Sequence, residues 1–174
     1  MDRQRRIVEG IEAAMGWCGR VGEWLVLATV ALSFLSVLLR FVFRTGSVGL
    51  QESYVWANGF AVMLAGGWVL ARDAHVRVDV LYRPARPVVK AWIDLIGACL
   101  LLATICVLIL LAGTPYAAES WRLLERSREA GGLAGVYLLK TAIVLFAVLL
   151  LLQGLAMVIR AWRVIVDRPL PDAP

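Results

Sequence analysis

WIDLIGACLLLATICVLILLAGTP, residues 92–115, contains a single charged side chain, Asp94. A hydrocarbon core about 30 Å thick takes about 20 helical residues to cross, so this stretch is long enough to span a bilayer. Three further stretches read the same way: 21–43, 53–71 and 135–159. A soluble bundle helix of this length carries polar residues every turn, and these do not. In lipid the backbone must satisfy its own hydrogen bonds, which requires helices rather than open strands. The predicted fold is an all-α integral membrane protein with four transmembrane helices. The spans and their connections use up the 174 residues, 61% of them hydrophobic. The chain therefore reads as one membrane domain over residues 1–174.

The charges lie between the spans and give the orientation. Arg3, Arg5, Arg6, Arg20, Arg72, Arg77, Arg83, Arg86, Lys90, Arg160, Arg163 and Arg168 fall on one side, and Arg40, Arg44, Arg122, Arg126 and Arg128 on the other. The positive-inside rule then places both termini and the middle connection in the cytoplasm. The net charge of +5 is distributed as span-end blocks, so it points to topology and not to nucleic acid. The first apolar stretch is too long for a signal-peptide core and is read as a retained span.

Short amphipathic interfacial segments are expected beside the spans. Ile7, Ile11, Met15 and Cys18 share a helical stripe, which predicts a helix lying on the cytoplasmic leaflet. Val76, Val78 and Val80 alternate with charged neighbours, which predicts an extended connection before Pro84. Trp121 and Leu124 share a face in the charged loop after span three, and Gly131-Gly132 would end a short interfacial helix there.

Within the spans, Ala57, Ala61 and Ala65 recur every fourth residue and lead into Gly66-Gly67. Small residues at this spacing let two helix backbones approach closely, so span two is the candidate partner-contact helix. Gln153-Gly154 is a second candidate notch. Glu52 opens span two, where the helix dipole favours a carboxylate. Its depth is similar to that of Arg40, so an ion pair between spans one and two is a further expectation.

The chain shows no chemistry of its own. Ionisable groups deep in a membrane mark ion paths and relays because they are costly there. Here Arg40, Glu52, Asp94 and Lys140 all lie within about two turns of a span end. One histidine cannot make a bis-histidine haem site. Cys99 and Cys106 stand about 10 Å apart along a helix, beyond disulfide reach. No enzyme activity, metal or cofactor is expected, and the contacts expected are with lipid and protein.

Taken in order, Arg40-Phe41-Val42-Phe43, Leu50-Gln51-Glu52, Gly66-Gly67 and Arg72-x-x-His75-Val76-Arg77-Val78-Asp79 resemble the DctQ-type small membrane subunit of tripartite ATP-independent periplasmic (TRAP) transporters. The resemblance continues through Ser120-Trp121, Glu125-x-Ser127, Gly131-Gly132-Leu133, Tyr137-Leu138-Leu139-Lys140 and Gln153-Gly154. It covers about residues 20–163. It departs in span four, where Lys140-Thr141-Ala142 stands in a half that carries proline in many members. The resemblance implies a multi-pass protein of the bacterial cytoplasmic membrane with two partners. One is a large multi-span permease subunit that uses a sodium gradient, and the other a periplasmic substrate-binding protein delivering a small organic anion. It implies that Arg40 and Glu52 brace spans one and two, and that Arg72, His75, Arg77 and Asp79 organise the cytoplasmic turn. For His75, local bonding stands against a proton-coupled role. Glu119, Arg122, Glu125 and Arg126 would either dock the binding protein or form a solvated surface. Two rival readings stay open: a stand-alone homodimeric small exporter, which needs a carboxylate in the membrane, and a membrane redox or assembly protein, which needs cofactor ligands.

Overall fold

The computed structural model describes residues 2–72 and 86–167. These form four helices: α1 (Asp2–Val42), α2 (Val48–Ala71), α3 (Pro87–Arg122) and α4 (Val136–Asp167). Each is long and apolar enough to cross a membrane. Among the described residues there is no strand, and Arg126 and Ala134 make an isolated antiparallel bridge. The turn between α1 and α2 and the 123–135 loop sit at one end of the bundle, the loop end. The first residues of α1 and the last of α4 meet at the other, the termini end.

The helices extend past the apolar cores because local chemistry starts and stops them elsewhere. Ser47 is extended and its hydroxyl accepts a hydrogen bond from the Leu50 N–H at 3.3 Å, so α2 begins at Val48 rather than at residue 53. Glu52 therefore lies beyond the first turn, and the dipole is not what holds it. Pro87 occupies the first turn of α3, where its missing N–H costs nothing. The helix runs on through Pro115 to Arg122. There Glu125 donates its N–H to the Ser120 carbonyl and Leu124 to that of Trp121, with Leu124 at φ 44°. This is a Schellman stop with leucine where glycine is usual. The left-handed backbone costs about 1–2 kcal/mol for a residue with a Cβ. No separate interfacial helix forms in the loop.

The N-terminal amphipathic segment is continuous with the first span, and Ile11, Met15 and Cys18 of its stripe face protein while Ile7 is exposed. Met15 and Cys18 are buried with Leu149 of α4, and Ile11, Leu64 and Trp68 pack around them. Glu12 pairs with Arg160, and Arg163 donates to the Gln4 side chain at 3.4 Å. These contacts clamp the two termini together.

α4 is the central helix and touches the other three. Against it α3 presents Ala91, Ala98, Cys106, Gly113 and Ser120, all buried and all small. They recur at seven-residue intervals except between Ala98 and Cys106, where the interval is eight. The extra residue coincides with a π-helical turn at Gly97–Leu102. Leu102 seats against Gly154 of α4, where an added Cβ would stand 2.8 Å from its Cδ2.

Candidate functional site

The loop end carries the polar side chains that the sequence singled out, and two carboxylates organise it. Glu52, on α2, accepts a hydrogen bond from the Leu133 N–H at 2.6 Å and another from the Ser127 hydroxyl. Glu125, which follows the Schellman stop, accepts from the Ser120 hydroxyl at 2.6 Å and pairs with Lys140 of α4. The Lys140 and Ser120 bonds hold the Glu125 carboxyl below the ordinary glutamate value of 4.5. Lys140 also lies over the Tyr116 ring, 3.9 Å from its centre. Trp121 donates its ring N–H to Thr141 at 2.9 Å and packs on Tyr137. The loop is thereby fastened to α2, α3 and α4 together.

Backbone bonds complete it. Ser127 donates to the Leu133 carbonyl at 3.0 Å, Gly132 to that of Glu129 at 3.0 Å, and Val136 to that of Glu125 at 3.1 Å. Gly131 turns at φ +80°, a conformation that suits a residue without a Cβ. Gly132 is required for space. A Cβ there would lie 2.5 Å from the Ser127 hydroxyl and 2.9 Å from the Glu52 carboxylate, inside the bond that ties the loop to α2.

The remaining residues named from the sequence fall in four places. Glu119 and Arg122 form an exposed pair at 3.0 Å, a contact of about 0–1 kcal/mol, and Arg126 is exposed beside them. Of that group Glu125 alone is turned inward. Arg40 is exposed, and Glu52 is engaged with Ser127 and Leu133, so the expected brace between Arg40 and Glu52 is replaced by a tie from α2 to the far loop. Arg72 caps α2, with its guanidinium 4.5 Å above the centre of the Trp68 ring. His75, Arg77 and Asp79 lie outside the described residues.

The small residues of α2 are covered within the chain. Ala57 and Ala61 are buried, and Gly22 of α1 sits where a Cβ would meet the Ala61 carbonyl at 3.4 Å and the Ala65 Cβ at 3.7 Å. A Cβ on Gly66 would stand 2.4 Å from the Phe146 ring, and one on Gly67 2.5 Å from the Met15 sulfur. Gln153 is fully buried, with no hydrogen-bond partner for either polar atom of its amide among the described residues. The sequence reading missed Ser127 and Leu133 as partners of Glu52. They lie 75 and 81 residues further along, and no local spacing points to them.

Four helices long and apolar enough to cross a membrane close their small residues on one another, and a loop is fastened across three of them. Residues 29–164 match the family described as tripartite ATP-independent periplasmic transporters, DctQ component. The chain belongs to this family. No curated protein and no solved structure matches it. The DctQ proteins are the small membrane subunits of TRAP transporters, so this chain is a transporter component and not an enzyme.

Proposed function

We propose that this DctQ protein is the fixed scaffold of a sodium-coupled TRAP transporter in the bacterial cytoplasmic membrane. It packs against the large permease subunit and helps to seat a periplasmic binding protein that delivers a small organic anion. The family match over residues 29–164 carries this reading. The excess of Lys/Arg at the termini end supports a cytoplasmic position for both termini, which directs the loop end to the periplasm. On that orientation Glu119, Arg122 and Arg126 are presented to the binding protein. Glu125 acts from behind, holding the loop in shape. The substrate pocket belongs to the permease and the binding protein.

The test is co-expression of the tagged chain with the large multi-span subunit of its own transporter. A stable complex on size exclusion in detergent is the expected result. A chain that elutes alone, with the permease present and folded, would refute the proposal. Proteoliposomes holding this chain alone and driving proton-coupled efflux of ethidium would favour the homodimeric exporter instead.

A further inference from the structure

Along α2, Val48, Gln51, Val55, Asn58 and Val62 are all exposed. Their spacing alternates three and four residues, the repeat of a seam between two helices crossing at a shallow angle. β-Branched valine recurs every seventh residue, and amides occupy the positions between. The exposed repeat ends at Val62: its next position, Ala65, packs against Gly22 of α1, and Ala61, Gly66 and Gly67 are turned to α1 and α4.

Asn58 makes this face unlike an ordinary lipid-facing surface. It lies ten residues into a helix of 24, about 15 Å from its start and near the middle of the span. Four hydroxyls within the spans are satisfied locally: Thr29, Ser33, Thr104 and Thr141 each donate to a carbonyl one turn back in their own helix. Asn58 has no hydrogen bond of this kind among the described residues, and acyl chains offer its amide neither donor nor acceptor. At the loop end the seam opens into a groove of about 450 Å³ lined by Val48, Gln51, Glu52, Val55, Trp56 and Glu129.

We propose that this face of α2 seats a transmembrane helix of the large permease subunit, with the Asn58 amide hydrogen-bonded to a polar group on that helix. A donor-bearing segment of the same subunit enters the acidic groove. A second copy of this chain fits worse. A twofold pair through the seam brings Glu52 and Glu129 towards their own counterparts, and like charges repel most where water is scarce. The inference rests on the scaffold function proposed above and adds to it which face binds.

The experiment uses the co-expressed complex, with a benzophenone amino acid placed at Val55 or Val62, and at Leu100 or Leu111 on exposed α3 as controls. Recovery of the wild-type complex is scored first. The expected result is a cross-link to the permease from positions 55 and 62 and none from 100 or 111. Asn58→Leu should lower recovery of the complex about 3- to 30-fold, the range of one interhelical hydrogen bond, with the thermal midpoint of the isolated chain unchanged. An intact complex that cross-links only from 100 or 111 would overturn the seam and leave the scaffold function standing. Cross-linking from 55 and 62 to a second copy would overturn it in favour of a homodimer. Absence of any wild-type complex would remove the functional reading and this proposal with it.

Discussion

Replacing Glu52 with alanine should free the 123–135 loop from α2 while leaving the four helices in place. The carboxylate holds the Leu133 N–H at 2.6 Å and also receives the Ser127 hydroxyl. A hydrogen bond to a charged group contributes about 1.5–3 kcal/mol net, and both partners are part-buried and regain some water when released. The loss is then about 2–4 kcal/mol, or roughly 30- to 700-fold in the local opening equilibrium. The assay is amide hydrogen exchange of the chain in lipid nanodiscs. It reads the N–H groups of Ser127, Gly132 and Val136, whose acceptors are carbonyls of the loop, and of Leu133, whose acceptor is Glu52 itself. Exchange of all four should accelerate together, while amides at the centres of α2 and α4 stay protected. Glu52→Gln keeps an acceptor without the charge and should fall between. Unchanged exchange at Leu133 in Glu52→Ala would refute the claim that this carboxylate fastens the loop.

Three more outcomes follow from the packing and the loop electrostatics. Gly66→Leu should abolish a monodisperse peak of the isolated chain, because the Phe146 ring lies 2.4 Å from the first added carbon; a well-behaved variant that only fails to bind partners would contradict this. Gln153→Leu should stabilise the isolated chain by about 1–3 kcal/mol, seen as a raised thermal midpoint, since it removes a buried amide without partners. The Glu125 carboxyl is held below its ordinary value, so its contribution is full above about 4.5 and is lost as pH falls through the lower folded value. Loop protection should therefore drop on acidification below that point, and Lys140→Met should shift the drop upward and shrink it.

The four crossings were legible because bilayer thickness imposes a length on apolar runs, as the stretch 92–115 shows. Their ends were not, because they depend on single residues whose signals are local and weak. Ser47 starts α2 one turn before the apolar run is established. Pro115 reads as a stop, yet a proline removes only one hydrogen bond and the helix runs on through it to Arg122, packed along α4. Leu124 ends α3 in a conformation that usually advertises itself with glycine, so the Trp121–Leu124 period suggested a helix that does not form. Small residues told a half-truth of another kind. Ala61, Ala65, Gly66 and Gly67 correctly indicate close approach, but spacing does not say whose backbone approaches, and here it is α1 and α4 of the same chain. The candidate site suffered most, since Glu52 finds its partners across more than seventy residues. Arg40 matches Glu52 in depth along its span, but depth alone does not fix azimuth.

The π-helical turn at Gly97–Leu102 has an evolutionary consequence. It absorbs one surplus residue without twisting the halves of α3 out of phase. Deleting a single residue there should let the segment relax to ordinary helix, with Ala91 and Cys106 still aligned on the same neighbour. The same deletion made elsewhere in α3 would swing everything beyond it by about 100°. Length variation among homologous chains should therefore be tolerated at this point of the third span and scarce along the rest of it.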